Sequence, residues 1–163
     1  MKTPFCNKNS CLLIAGVWFL LITGCKPQSM DSTKCGPCPM YAQLEPNLNF
    51  RVVDKITKQD LFFGAGAPYK ISQLVMRHIV NGVRDTAFLR VDTVNRIFTV
   101  FVAPAHNVDT VTMQIANLTQ DNLLFETATI GKCCPRLVLN SVLYNAAVVF
   151  TAANGPQVVT LTK

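Results

Sequence analysis

The chain has 163 residues, 15 of them basic against 9 acidic, and half are hydrophobic. That length suits one ordinary domain. The basic surplus is scattered, with no Lys/Arg cluster and none alternating with aromatics, which argues against nucleic acid as a partner.

The first element is an export signal. Lys2 and Lys8 give a positive start, the apolar run Cys11 to Ile22 follows, and Thr23-Gly24-Cys25 closes it. The run has twelve residues, against roughly twenty for a spanning helix. A basic start, a short apolar core and small residues at the end make up the anatomy of a secretory signal. Ending on Ile22-Thr23-Gly24-Cys25, the segment resembles the lipobox of bacterial lipoproteins. The resemblance implies that residues 1–24 leave as a signal peptide. Cys25 then carries acyl chains such as palmitate and becomes the first mature residue. Each buried methylene contributes about 0.8 kcal/mol, so two or three chains hold a protein at a membrane. An ordinary signal peptide followed by a chance Cys is the plainer alternative. Lys26, not Asp, follows Cys25; where that position sorts lipoproteins, it implies the outer membrane rather than the inner one.

Residues 25–47 read as the lipidated Cys and a tether, with Pro27, Pro37, Pro39 and Pro46 and no sustained apolar period. Such chain is semi-extended. From Leu48 the texture changes, and residues 48–163 form the domain. Short apolar runs are separated by turn chemistry: 48–53, 61–63, 74–80, 83–91, 97–102, 108–115, 123–130, 136–144, 146–151 and 157–162. Asn81-Gly82 between two runs is a strong hairpin signal, because both turn residues need positive φ. Ile71, Leu74, Val75, His78 and Ile79 also fit a helical stripe, but the β-branched content favours strand. Val111, Met113 and Ile115 alternate with Thr110, Thr112 and Gln114, as in a half-buried strand. Ile97 to Val102 is apolar on both faces, as in a central strand. The expected fold is all-β, an antiparallel β-sandwich of immunoglobulin-like or transthyretin-like type, with a closed barrel as runner-up. Val53-Asp54-Lys55-Ile56-Thr57, then Leu61 and Gly64-Ala65, resembles the opening of transthyretin-like repeats in carboxypeptidase regulatory domains. That resemblance implies a non-catalytic sandwich.

Four cysteines remain after Cys6, Cys11 and Cys25: Cys35, Cys38, Cys133 and Cys134. An even number in an exported chain points to disulfides. Adjacent Cys133 and Cys134 bond each other only with strain, so cross-pairing is expected, with the partner of each left open. Cys35-Gly36-Pro37-Cys38 is similar to the active-site sequence of thioredoxins, but neither a preceding strand nor a βαβ pattern surrounds it. A four-thiolate zinc site fits the first pair and not the adjacent pair. His78 and His106 lack a companion nucleophile in motif form and read as surface or hydrogen-bonded residues. Asp54, Asp60, Asp85, Asp92, Asp109 and Asp121 fall at strand ends and turns, where Asp routinely caps and bends the chain. Phe62-Phe63 and the run Ile97 to Val102 read as core, or, if exposed, as a protein-binding face.

These observations lead to a non-enzymatic, lipid-anchored domain of the cell envelope that binds or supports another envelope component. No cofactor and no metal are expected, and the membrane is reached through the N-terminal lipid. The alternatives are a thiol-disulfide protein using Cys35 and Cys38, and a small-ligand or glycan binder working through its loops.

Overall fold

The computed structural model describes residues 35, 38, 45–80, 83–102 and 108–163. The signal segment, Cys25, most of the tether, Asn81-Gly82 and His106 lie outside the described residues. Ten strands are present among those described: β1 Asn47–Val53, β2 Leu74–Val80, β3 Val83–Thr86, β4 Leu89–Asp92, β5 Ile97–Phe101, β6 Val108–Ile115, β7 Asp121–Ile130, β8 Arg136–Tyr144, β9 Ala147–Thr151 and β10 Val158–Thr162. They form a four-stranded sheet, β10-β1-β5-β4, and a six-stranded sheet, β3-β2-β6-β7-β8-β9. The protein is an all-β sandwich, and its sheets do not close into a barrel.

Period-two alternation positions the core. Leu48, Phe50 and Val52 of β1, Phe98 and Val100 of β5, and Val159 and Leu161 of β10 turn inward from the smaller sheet. Leu74 and Met76, then Val111, Met113 and Ile115, then Leu123 and Phe125 turn inward from the larger one. On β6 the inward set is the one that alternation predicts, although Thr112 on the other face is also buried. Every ladder is antiparallel except that of β1 with β10, which runs parallel from Asn49↔Val158 to Val53↔Thr162. On its other side β1 pairs with β5, from Asn47↔Phe101 to Phe50↔Phe98.

Three segments depart from expectation or sharpen it. Leu61-Phe62-Phe63 is not a strand. The Asp60 carboxylate accepts hydrogen bonds from the Phe62 and Phe63 amides, both at 2.8 Å, and bends the chain there. The two rings are buried against Phe98, with centroids 5.2 and 5.0 Å from its ring. Phe50 stacks on Phe98 from a third side at 5.5 Å. The expected strand 83–91 splits into β3 and β4, which serve different sheets. The Ala87 amide donates to Met76 O in the larger sheet, while Phe88 O accepts from the Phe101 amide in the smaller one. The chain thus changes sheets between two consecutive residues. The stretch from Leu74 is a strand, as composition favours, and the 3-10 turn Ile71–Gln73 leads into it.

The two sides of the sandwich differ in charge. Edge strands β3 and β4 carry Arg84, Asp85, Arg90 and Asp92, whereas no charged side chain lies between Arg136 and Lys163, a stretch that contains edge strands β9 and β10. Charge is the usual guard of an edge against pairing with another chain.

Phe98, with its three ring contacts, is the most heavily shared side chain of the core. Phe98→Ala is expected to lower unfolding free energy by about 3–5 kcal/mol, measured by urea denaturation, with the Phe62 and Phe63 segment losing amide-exchange protection first.

Candidate functional site

The predicted cysteines converge on one turn. β7 and β8 are joined by Gly131 to Pro135, and at that turn Cys133 bonds Cys35 while Cys134 bonds Cys38. Their Cα atoms are 5.2 and 5.5 Å apart, within the ordinary range for disulfides. The pairing left open by the sequence is therefore direct and in order, first with first and second with second. Gly131 makes the turn possible. Its φ is +91°, and a Cβ there would lie 2.6 Å from the backbone carbonyl oxygen of Cys134.

The first and second closures are not equivalent in energy. Whichever forms first closes a loop of nearly a hundred residues, given sequence separations of 98 and 96. The second then closes only a small ring made of the two cysteine pairs. Loop-closure entropy gives about 4–5 kcal/mol for the first closure and about 2 for the second.

Beside the stapled turn lies an open cleft of about 520 Å³, lined by Asn47, Leu48 and Asn49 of β1, Ile130, Arg136, Val138 and Leu139 of the β7–β8 hairpin, Phe150 of β9, and Ala152, Gly155, Pro156 and Gln157 of the following loop. Its wall is mainly apolar, with Arg136, Asn47, Asn49 and Gln157 as its polar side chains. It places the beginning of β1 and the stapled turn at the same end of the sandwich.

The remaining candidates resolve into structural roles. His78 Nδ1 lies 2.8 Å from Asp109 Oδ2, on the inward face shared by β2 and β6. Asp109 is thus a buried partner of His78 and not a turn residue. The Ser141 hydroxyl donates to Glu126, but both sit on the outer face of the sheet, so they do not converge with His78 and Asp109 into a nucleophilic triad. Asp54, Asp60 and Asp92 do cap their own turns. Asp54 Oδ1 accepts from the amides of Ile56 and Thr57, and Asp92 Oδ1 from those of Val94 and Asn95. The Thr57 amide and hydroxyl hold the Asp54 carboxyl below its usual range, and the Asn95 amide and side chain do the same for Asp92. Among the described residues no group of three or more His, Cys, Asp or Glu side chains is arranged to hold a metal ion. No described helix is long and apolar enough to cross a membrane.

Sequence reasoning missed a polar latch at the opposite end of the sandwich. Asp121, buried at the start of β7, accepts from Tyr144 Oη at 2.9 Å, Asn145 Nδ2 at 2.9 Å and Lys163 Nζ at 2.6 Å. Tyr144 also reaches Thr162 O at 3.2 Å, and Lys163 also bonds Thr119 O. The latch fastens the end of β10 to the β6–β7 and β8–β9 turns of the other sheet. No short motif announces it, because its members lie up to 42 residues apart. Burial raises the Tyr144 hydroxyl well above the ordinary tyrosine range, reinforced by the adjacent Asp121 carboxylate.

The fold and the stapled turn define a class, a small disulfide-tied β-sandwich. No family model, curated protein or solved structure matches the chain.

Replacing one bonded cysteine pair by serines is expected to cost about 2 kcal/mol, and replacing both about three times as much, a non-additivity that chemical denaturation of the single and double variants would reveal. Tyr144→Phe is expected to cost about 1–2 kcal/mol. Because the Tyr144 hydroxyl is harder to ionise folded than unfolded, its contribution is complete below about pH 10 and falls as pH rises beyond that. The wild type should therefore lose stability in alkali more steeply than Tyr144→Phe, as followed by thermal unfolding against pH.

Proposed function

We propose that the protein is a lipid-anchored component of the cell envelope, held through Cys25, whose sandwich serves as a non-catalytic binding or supporting module. One observation carries this reading: a short export signal ending in Thr23-Gly24-Cys25 stands ahead of a domain with two disulfides. Disulfides persist in oxidising compartments, which supports export. Because Cys35 is tied to the domain, only the chain from Lys26 to Lys34 is left as tether before the first bonded cysteine. At about 3.1 Å per residue such a segment reaches on the order of 30 Å, enough to clear lipid headgroups. The Lys at position 26 favours the outer membrane as the address.

The thiol-disulfide alternative needs Cys35 and Cys38 to cycle as a pair with each other. Their bonds to Cys133 and Cys134 support a structural role instead. The small-ligand alternative is favoured by one observation, the cleft beside the stapled turn, where Arg136 would meet an anionic group on an otherwise apolar molecule.

Metabolic labelling with a fatty-acid analogue should mark the wild-type chain and leave Cys25→Ser unmarked. Intact mass of the mature form should begin at residue 25 with four thiols unreactive to alkylation until reductant is added. An unlabelled mature chain would remove the anchor, and a Cys35–Cys38 bond in the peptide map would favour the redox reading.

A further inference from the structure

The two most exposed large apolar side chains of the described residues, Ile56 and Val94, are each 88% accessible. They occupy matching places in two turns of the same design. Asp54-Lys55-Ile56-Thr57-Lys58 follows β1, and Asp92-Thr93-Val94-Asn95-Arg96 precedes β5. In each, an Asp carboxylate accepts from the amides two and three residues on. In each, a Thr or Asn at the fourth position also bonds that carboxylate. The fifth residue is basic and takes a left-handed conformation, Lys58 at φ 60° and Arg96 at φ 57°. β1 and β5 are antiparallel neighbours, so the turns sit side by side, and Arg51 Nη2 on β1 donates to Asn95 O at 2.9 Å.

Turn tips in a soluble domain are ordinarily polar, and left-handed positions ordinarily go to Gly or Asn. Here both tips are aliphatic and both left-handed positions are cations. The acids of the two turns face their own backbones, while Lys55, Lys58 and Arg96 are exposed around the tips. The two aliphatic groups project from their turns, whereas a protein hot spot sets anchors into packed, desolvated wells. Projecting aliphatics ringed by Lys and Arg match the boundary of a bilayer, with acyl chains beneath and phosphates level with the cations.

We propose that this pair of turns is a second membrane-contacting site, which inserts Ile56 and Val94 into a bilayer carrying anionic lipid. The turns lie at the end of β1 opposite the cleft and stapled turn, because β1 runs from Asn47 at the cleft to Val53 at the first turn. The chain that carries Cys25 joins the domain at the stapled turn, through Cys35, so the two turns stand at the end of the domain away from that junction; that they meet a second lipid surface is the part of the inference that rests on the proposed anchor.

The test uses the purified full-length mature protein on neutral phosphatidylcholine vesicles, mixed with dye-labelled acceptor vesicles of phosphatidylcholine and phosphatidylglycerol. The protein should stay on the neutral vesicles and capture anionic acceptors but not neutral ones. Ile56→Asp/Val94→Asp should reduce capture by about tenfold or more with thermal unfolding unchanged, since both side chains are solvent-exposed. Lys55→Gln, Lys58→Gln and Arg96→Gln should each reduce it by about fivefold. Absence of capture, capture unchanged by the double substitution, or association with a protein but not with lipid would overturn the proposal. If the protein leaves the neutral vesicles, the anchor reading fails. Flotation of the free protein with the anionic vesicles then reads the tips directly, against the same variants.

Discussion

The sandwich depends on β1 acquiring two neighbours that lie far along the chain. β5 is about fifty residues away and β10 about a hundred and ten. The smaller sheet cannot exist as a packed layer until the last strand has arrived, and without it the inward face of the larger sheet has nothing to lie against. Loop closure is what such a topology must overcome, and non-local pairing of this kind folds slowly. The two other long-range devices of the fold act on the same problem from opposite ends. The disulfides tie the segment just ahead of β1 to the β7–β8 turn, and the Asp121 latch ties the end of β10 to the turns of the larger sheet.

How much of this was legible in the sequence depended on whether the determining contact was local. Val108 to Ile115 could be read, because its two faces differ in polarity residue by residue. The Asn81-Gly82 signal agrees with the observed pairing of Val80 with Val83 across it. Leu61-Phe62-Phe63 could not be told from a strand by composition, since a single carboxylate two and three residues away turns it into a buried bend. The break at Ala87 carries no Gly or Pro, and only the presence of two sheets explains it. The even count of cysteines pointed to bonds, while their order of pairing needed the geometry of the turn. The latch was invisible for the same reason, its parts being gathered from two turns and the end of β10.

Acidic residues serve this fold mainly as internal braces. Asp54, Asp60 and Asp92 hold their own turns, Asp109 holds His78, and Asp121 holds a tyrosine, an asparagine and a lysine. A chain with few carboxylates that turns most of them toward its own hydrogen-bond donors presents its cations outward by default. The basic character of the sequence is thereby stronger at the surface than a simple count suggests.

The absence of charge between Arg136 and Lys163 has a consequence for how the chain must be handled before it is folded. Two β-rich segments without a repelling group, Ala147–Thr151 and Val158–Thr162, are natural seeds for cross-chain stacking while still unpaired. Their safe passage rests on how soon β8 takes up the first and the waiting edge of β1 the second, and any delay in those encounters exposes sticky strands to their own kind.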